Sequence, residues 1–246
     1  MTVDRWAQAV RQQLGVGRVL PLGGPGDGAW IVEPAAQDAL RRAVAGDRGV
    51  RLGALRLGPA DPEGTYESTV PAPPSALPAG PLRIEAECAA TVDEPLPVAA
   101  ARLRAALSQA AADRLGLLVT EVDLQVTALL DEAPDPEAAP ERPEPEEQEE
   151  QESTLTGDEG RVARAALSVP GVSRLTGVLG GIGRAIHIEE RAGAGALPRR
   201  HVRVELAVGP GHRALDVTGV VREAVATALP DDPTVSVLVT STAGRP

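Results

Sequence analysis

The chain has no phenylalanine and no lysine, a single cysteine, and only three large aromatic side chains, Trp6, Trp30 and Tyr66. Each scarcity removes a class of chemistry. Sites that stack a base, a flavin or a sugar recruit aromatic rings, and almost none are available. A phosphate loop of the Walker type needs a lysine after its glycines, so "LGGPGDG" (22–28) and "LGGIGRA" (179–185) are expected to be turns. One cysteine allows neither an intrachain disulfide nor a cysteine-rich zinc centre, and Cys88 alternates with core positions as a small buried hydrophobe would. No run of about 18 apolar residues occurs, and the N-terminus lacks the apolar core of a secretory signal, which leads us to expect a cytoplasmic location.

What is abundant is Ala, Val, Leu, Gly, Pro and acid. The formal charge is −11, but it is concentrated: Asp131 to Glu152 hold eleven acids and one base, leaving 24 acids and 23 bases elsewhere. Pro spacing and like-charge repulsion in this stretch predict an extended, disordered linker over 131–157. The remainder is nearly neutral and gives no basic face for nucleic acid, although Arg41-Arg42 and Arg199-Arg200 keep open an alternative, a regulator that binds nucleic acid or a small ligand through Arg-bearing loops.

The two halves either side of that linker read alike. "ALRRAVAGDRGVRLGALRLG" and "VARAALSVPGVSRLTGVLG" each run from helix through a tight corner into a strand. Alternating strands follow, with Leu82, Ile84, Ala86 and Cys88 on one face in the first half and Val202, Val204, Leu206 and Val208 in the second; Arg83, Glu85 and Glu87, and Arg203 and Glu205, lie opposite. Each half then shows a helical apolar stripe (Leu96, Ala99, Leu103, Ala106, Ala110; Val217, Val221, Ala224, Val225, Ala228) and a closing strand (Val122, Leu124, Val126; Val235, Val237, Val239). The expected fold class is α+β: two small two-layer modules of order α-β-β-α-β, a diverged tandem duplication, with helices on one face of each sheet. The expected partition is a lead-in helix and Gly-rich segment (1–28), module one (29–130, with an extra leading strand at "GAWIVE"), the linker (131–157) and module two (158–246).

No catalytic constellation emerges, and no enzyme activity is expected. His187 and His201 fall in neighbouring strand-like segments and His212 at a helix start, without the carboxylate or thiolate company of a metal site. No metal or cofactor is expected. The candidate partner contacts are Trp6, Val10 and Leu14, which recur at helical spacing, and the polar sheet face carrying Arg83, Glu85 and Glu87 with Asp123 and Gln125.

These elements resemble a known family. "GAWIVEPAAQDALRRAVAGDRGVRLGALRLG" followed by "LRIEAECAATVDEPLPVAAARLRAALSQAAADRLGLLVTEVDLQVTAL" is similar to the alkaline-shock-protein family of envelope stress response proteins. "VTEVDLQV" (119–126) matches that family's closing strand, and "SVPGV" (168–172) its helix-to-strand corner. The resemblance implies a non-catalytic cytoplasmic scaffold that self-associates and lies beneath the cell membrane, held by a membrane-anchored protein partner.

Overall fold

The computed structural model describes residues 17–131, 157–178, 184–191 and 199–242. The linker core (132–156) and the N-terminal stretch with Trp6, Val10 and Leu14 lie outside the described residues. The chain enters through a short antiparallel hairpin, β1 (Val19–Leu22) and β2 (Ala29–Val32), and passes directly into helix α1 (Glu33–Val44). Pro34 in the first turn removes a donor that would have had no partner, Glu33 meets the positive end of the helix dipole, and Arg41 and Arg42 meet the negative end. The following corner is tied by Asp47, whose carboxylate accepts from the Gly49 amide (3.0 Å) and from Arg102 (2.9 Å).

Strands β3 (Val50–Pro59) and β4 (Leu82–Thr91), helix α2 (Leu96–Ala110) and strand β5 (Val119–Leu130) complete the first half. A widened turn, Ala111–Leu115, extends α2 and ends at Gly116, whose φ of 84° is the left-handed geometry a helix stop needs. The second half supplies α3 (Gly157–Leu167), β6 (Val172–Leu175), β7 (Ile186–Arg191), β8 (Arg199–Val208), α4 (Ala214–Ala228) and β9 (Thr234–Ser241).

The molecule is thus mixed α+β, and the described residues form two sheets. In the smaller, β3–β4–β5, the first pair is antiparallel and the second parallel. In the larger, β6 and β7 lie end to end along β8, both antiparallel to it, and β9 runs parallel on its other side. The pairing sense, antiparallel then parallel, is therefore the same in the two sheets, with β6 and β7 together in the second where β3 alone stands in the first.

The larger sheet draws its strands from both sides of residues 132–156. Strand β2 pairs in parallel with β9, so the hairpin of the first half extends the sheet of the second, in the order β1-β2-β9-β8-β6. The cause is in the strands themselves. "VLPL" and "AWIV" are apolar on both faces and buried at every position, so they need a sheet covered on both sides. Further ties hold the halves together: Arg222 of α4 donates to the carbonyls of Gly26 and Asp27, Arg213 donates to Ala112 O (2.8 Å), and Arg42 donates to the Thr242 hydroxyl (2.8 Å). Buried side chains of both halves form one contiguous core.

Two smaller expectations also change. Leu96 heads the predicted α2 stripe but is 38% exposed, and Leu107, outside that stripe, is fully buried in its place. The second sheet has no solvated face at its centre: β8 and β9 are buried on both sides, and Glu205 is wholly buried.

Candidate functional site: an open strand edge and a buried polar cluster

The polar face expected on the first half forms as a face of the three-stranded sheet. Register places Arg83 beside Glu121, Glu85 beside Asp123 and Glu87 beside Gln125 on the parallel strand, with Arg56 beside Glu85 on β3. Arg83 bridges to Glu121 (2.7 Å) and Asp123 (3.5 Å), while Glu85, Glu87 and Arg56 stand exposed. Charges this open to water are worth little individually. They keep the face soluble without building a pocket.

Strand β5 is more unusual. It is twelve residues long and, among the described residues, pairs only with β4, so that its other side meets no described strand. Val122 and Leu124 are half-buried against the core, and Val126 is 40% exposed. Leu129 and the flanking Leu118 are exposed as well, at 59% and 52%. One side chain attends the edge: Arg104 of α2 donates to the Val122 carbonyl (3.2 Å), which therefore points away from β4. In the second half the same position, the outer side of β9, is occupied by β2. The alternation of "VTEVDLQV" announces a strand but not its place in the sheet.

A second concentration of polar groups lies on the larger sheet, on the face opposite Val202 and Val204. Cross-strand register sets His187 beside Arg203 and Glu189 beside His201. His201 is buried, with Nδ1 2.9 Å from the Thr234 hydroxyl and Nε2 3.0 Å from that of Ser236. Both of its ring nitrogens are engaged and Ser236 is sealed from solvent, so the pair offers no reachable nucleophile. Glu205 receives the Val178 amide at Oε2 (2.6 Å), while its Oε1 lies 3.7 Å from Arg203 Nε and 3.8 Å from His187 Nε2. His212 lies apart, hydrogen-bonded to Pro210 O (3.2 Å). Among the described residues no three His, Cys, Asp or Glu side chains converge as a metal site.

Burial, reinforced by the Arg203 charge, pushes the His187 imidazole below its ordinary value. The unfolded chain then binds a proton that the folded one resists. Stability from this group is full above about pH 6.5 and falls as pH drops through the folded value. We expect His187→Asn to flatten the wild-type loss of stability as pH falls below about 6.5, measured by urea unfolding.

A groove of about 680 Å³ is walled by residues 65–72 and 76–79 over Trp30, which brings together two of the three aromatic residues, Trp30 and Tyr66. Its walls are Val70, Leu77, Pro, Ala and short hydroxyl side chains with one acid, Glu67. The loop 22–28 is closed on itself, its Gly24 amide donating to Asp27 (2.6 Å), so that amide is not open to a phosphate. The core of "LGGIGRA" (179–183) lies outside the described residues. Cys88 is buried, and burial raises its thiol above the ordinary value, away from nucleophilic use.

No family model matches this chain, and no curated protein matches its sequence. Among the described residues no helix is long and apolar enough to cross a membrane. The geometry therefore stands on its own. It offers an unpaired strand edge, a charged sheet face beside it, and no assembled catalytic group among the described residues.

Proposed function

We propose that the protein is a non-catalytic scaffold of the envelope stress response type, built from two diverged copies of one α-β-β-α-β unit joined by the acidic linker. It acts by self-association and by docking to a membrane-associated protein partner. The duplication draws support from the antiparallel-then-parallel pairing in both halves. The observation that carries the interaction role is the open edge of β5, a twelve-residue strand with exposed Val126 and Leu129. Soluble proteins usually shorten, cover or charge such edges, and one left long and apolar favours pairing with another chain.

Light scattering on the purified chain is expected to give a mass above that of one copy, falling on dilution. Affinity purification from cells is expected to recover a membrane protein and no nucleic acid. Recovery of nucleic acid in place of a membrane protein would displace this reading in favour of a regulator acting through its arginine-bearing loops.

A further inference from the structure

We infer that the edge of β5 receives the β5 of a second copy of this chain, antiparallel and centred on Leu124, making one continuous six-stranded sheet from two three-stranded ones. The inference rests on the self-association proposed above and supplies its geometry. The Val122 carbonyl points outward, so by strand alternation the backbone groups of Leu124 and Val126 do too. An antiparallel neighbour can therefore exchange hydrogen bonds at 124 with 124 and at 122 with 126.

The register follows from charge. Directly opposed residues share a face, so a symmetric pairing must centre on a residue. Centring on Val122 sets Glu121 against Asp123, and centring on Asp123 sets that carboxylate against itself; like charges in direct opposition are destabilising. Centring on Gln125 avoids the acids but sets Leu129 against Glu121 and Val119 against Asp131. Centring on Leu124 places Asp123 against Gln125 and Glu121 against Thr127, with no acid facing another.

The same register pairs each large exposed apolar residue of this edge with an apolar one. Val126 meets Val122 of the second copy and Leu124 meets itself; beyond the register shifts at 119/121 and 126/128, one on each side of Leu124, Leu129 lies opposite Val119 and Leu118 opposite Leu130. Nothing in the choice of register by charge required that second match. It would cover Leu118, Val126 and Leu129, three of the large apolar residues the chain leaves exposed. On the helical layer Ala101 and Ala105, exposed and short, leave room for two α2 helices to approach. Arg104 guards the free edge with a single exposed hydrogen bond, and it leaves the Val122 carbonyl when the second strand arrives.

Residues 123 and 125 form a narrow pair in this arrangement, with Cα atoms about 4.5 Å apart, which suits a disulfide. The experiment mixes Asp123→Cys with Gln125→Cys chains under mild oxidation. Both positions are exposed and the native Cys88 is buried, so it stays out of the reaction. A covalent dimer is expected from the mixture and not from either variant alone, since 123 and its copy lie beyond disulfide reach. Val126→Lys, also at an exposed position, is expected to weaken association about tenfold or more while leaving the circular dichroism unchanged.

Association of the wild type without cross-linking in the mixture would overturn this register and leave self-association standing. Cross-linking of each variant alone as fast as the mixture, or unchanged association of Val126→Lys, would also overturn it. A strictly monomeric wild type would overturn the self-association reading itself.

Discussion

Deleting residues 1–32 is expected to abolish cooperative folding of the second half, although the deletion removes nothing from it in sequence. Six large apolar side chains of the hairpin, Val19, Leu20, Leu22, Trp30, Ile31 and Val32, are buried to within a few per cent. At about 1.5–3 kcal/mol each, their burial contributes on the order of ten kcal/mol. That is comparable to the whole net stability of a typical domain, about 5–15 kcal/mol. Their removal also unpairs the edge of β9, withdraws the Gly28 carbonyl from the Val237 amide, and leaves Arg222 without two of its acceptors. A fragment spanning 157–246 should fail for the same reason. Thermal melts followed by circular dichroism provide the measurement. A sharp, reversible transition in either truncated chain would mean that the second sheet does not depend on β2. Trp30→Ala is the milder form of the test, with an expected loss of about 3–5 kcal/mol.

Glu205→Ala is expected to be the most damaging single substitution of a charged residue. The carboxylate is fully buried, accepts the Val178 amide, and lies within 4 Å of Arg203 and His187. Alanine leaves the largely buried Arg203 guanidinium without its nearest negative charge and the Val178 amide without an acceptor. Breaking a buried pair from one side costs about 3–5 kcal/mol. For a chain of this size that lowers Tm by roughly 6–20 °C. The joint replacement Arg203→Met with Glu205→Leu should cost less than Glu205→Ala alone, because it removes both charges and fills the space with apolar groups. A double variant as unstable as the sum of its singles would show that the two side chains are not coupled. Equal stability of Glu205→Gln and wild type would place the value of this position in its hydrogen bond alone.

Much of the local structure was legible from residue pattern. The period-two alternation of Leu82 to Cys88 and of Val202 to Val208 marked strands, and one face of each packs into the core as read. The stripes around Leu103 and Val221 marked helices whose inner faces are buried. What residue pattern missed shares a cause. Val122, Leu124 and Val126 carry the same alternation as an internal strand, because pattern reports which face is apolar and not whether a neighbour lies alongside. Arg203 and Glu205 occupy the polar phase of β8, which on a one-sided sheet would be solvated. The other face of this sheet is covered, so the same residues became a buried cluster. Leu107 escaped the predicted stripe because α2 packs through a wider arc than its alanines suggested.

By itself the sequence determined the inventory: which segments are helices and strands, that two similar runs of elements flank an acidic stretch, and that no lysine-dependent or cysteine-rich site can exist. Those properties follow from side-chain chemistry over a few consecutive residues. Tertiary structure alone decided which strands are neighbours. It sent "AWIV" across to β9, more than two hundred residues away, where both strands are buried along their length. Among the described residues it left the edge of β5 without a strand, and it enclosed Glu205. Strand adjacency is set by how faces and edges are covered in space, and a pattern of alternating residues carries no information about what lies beside it.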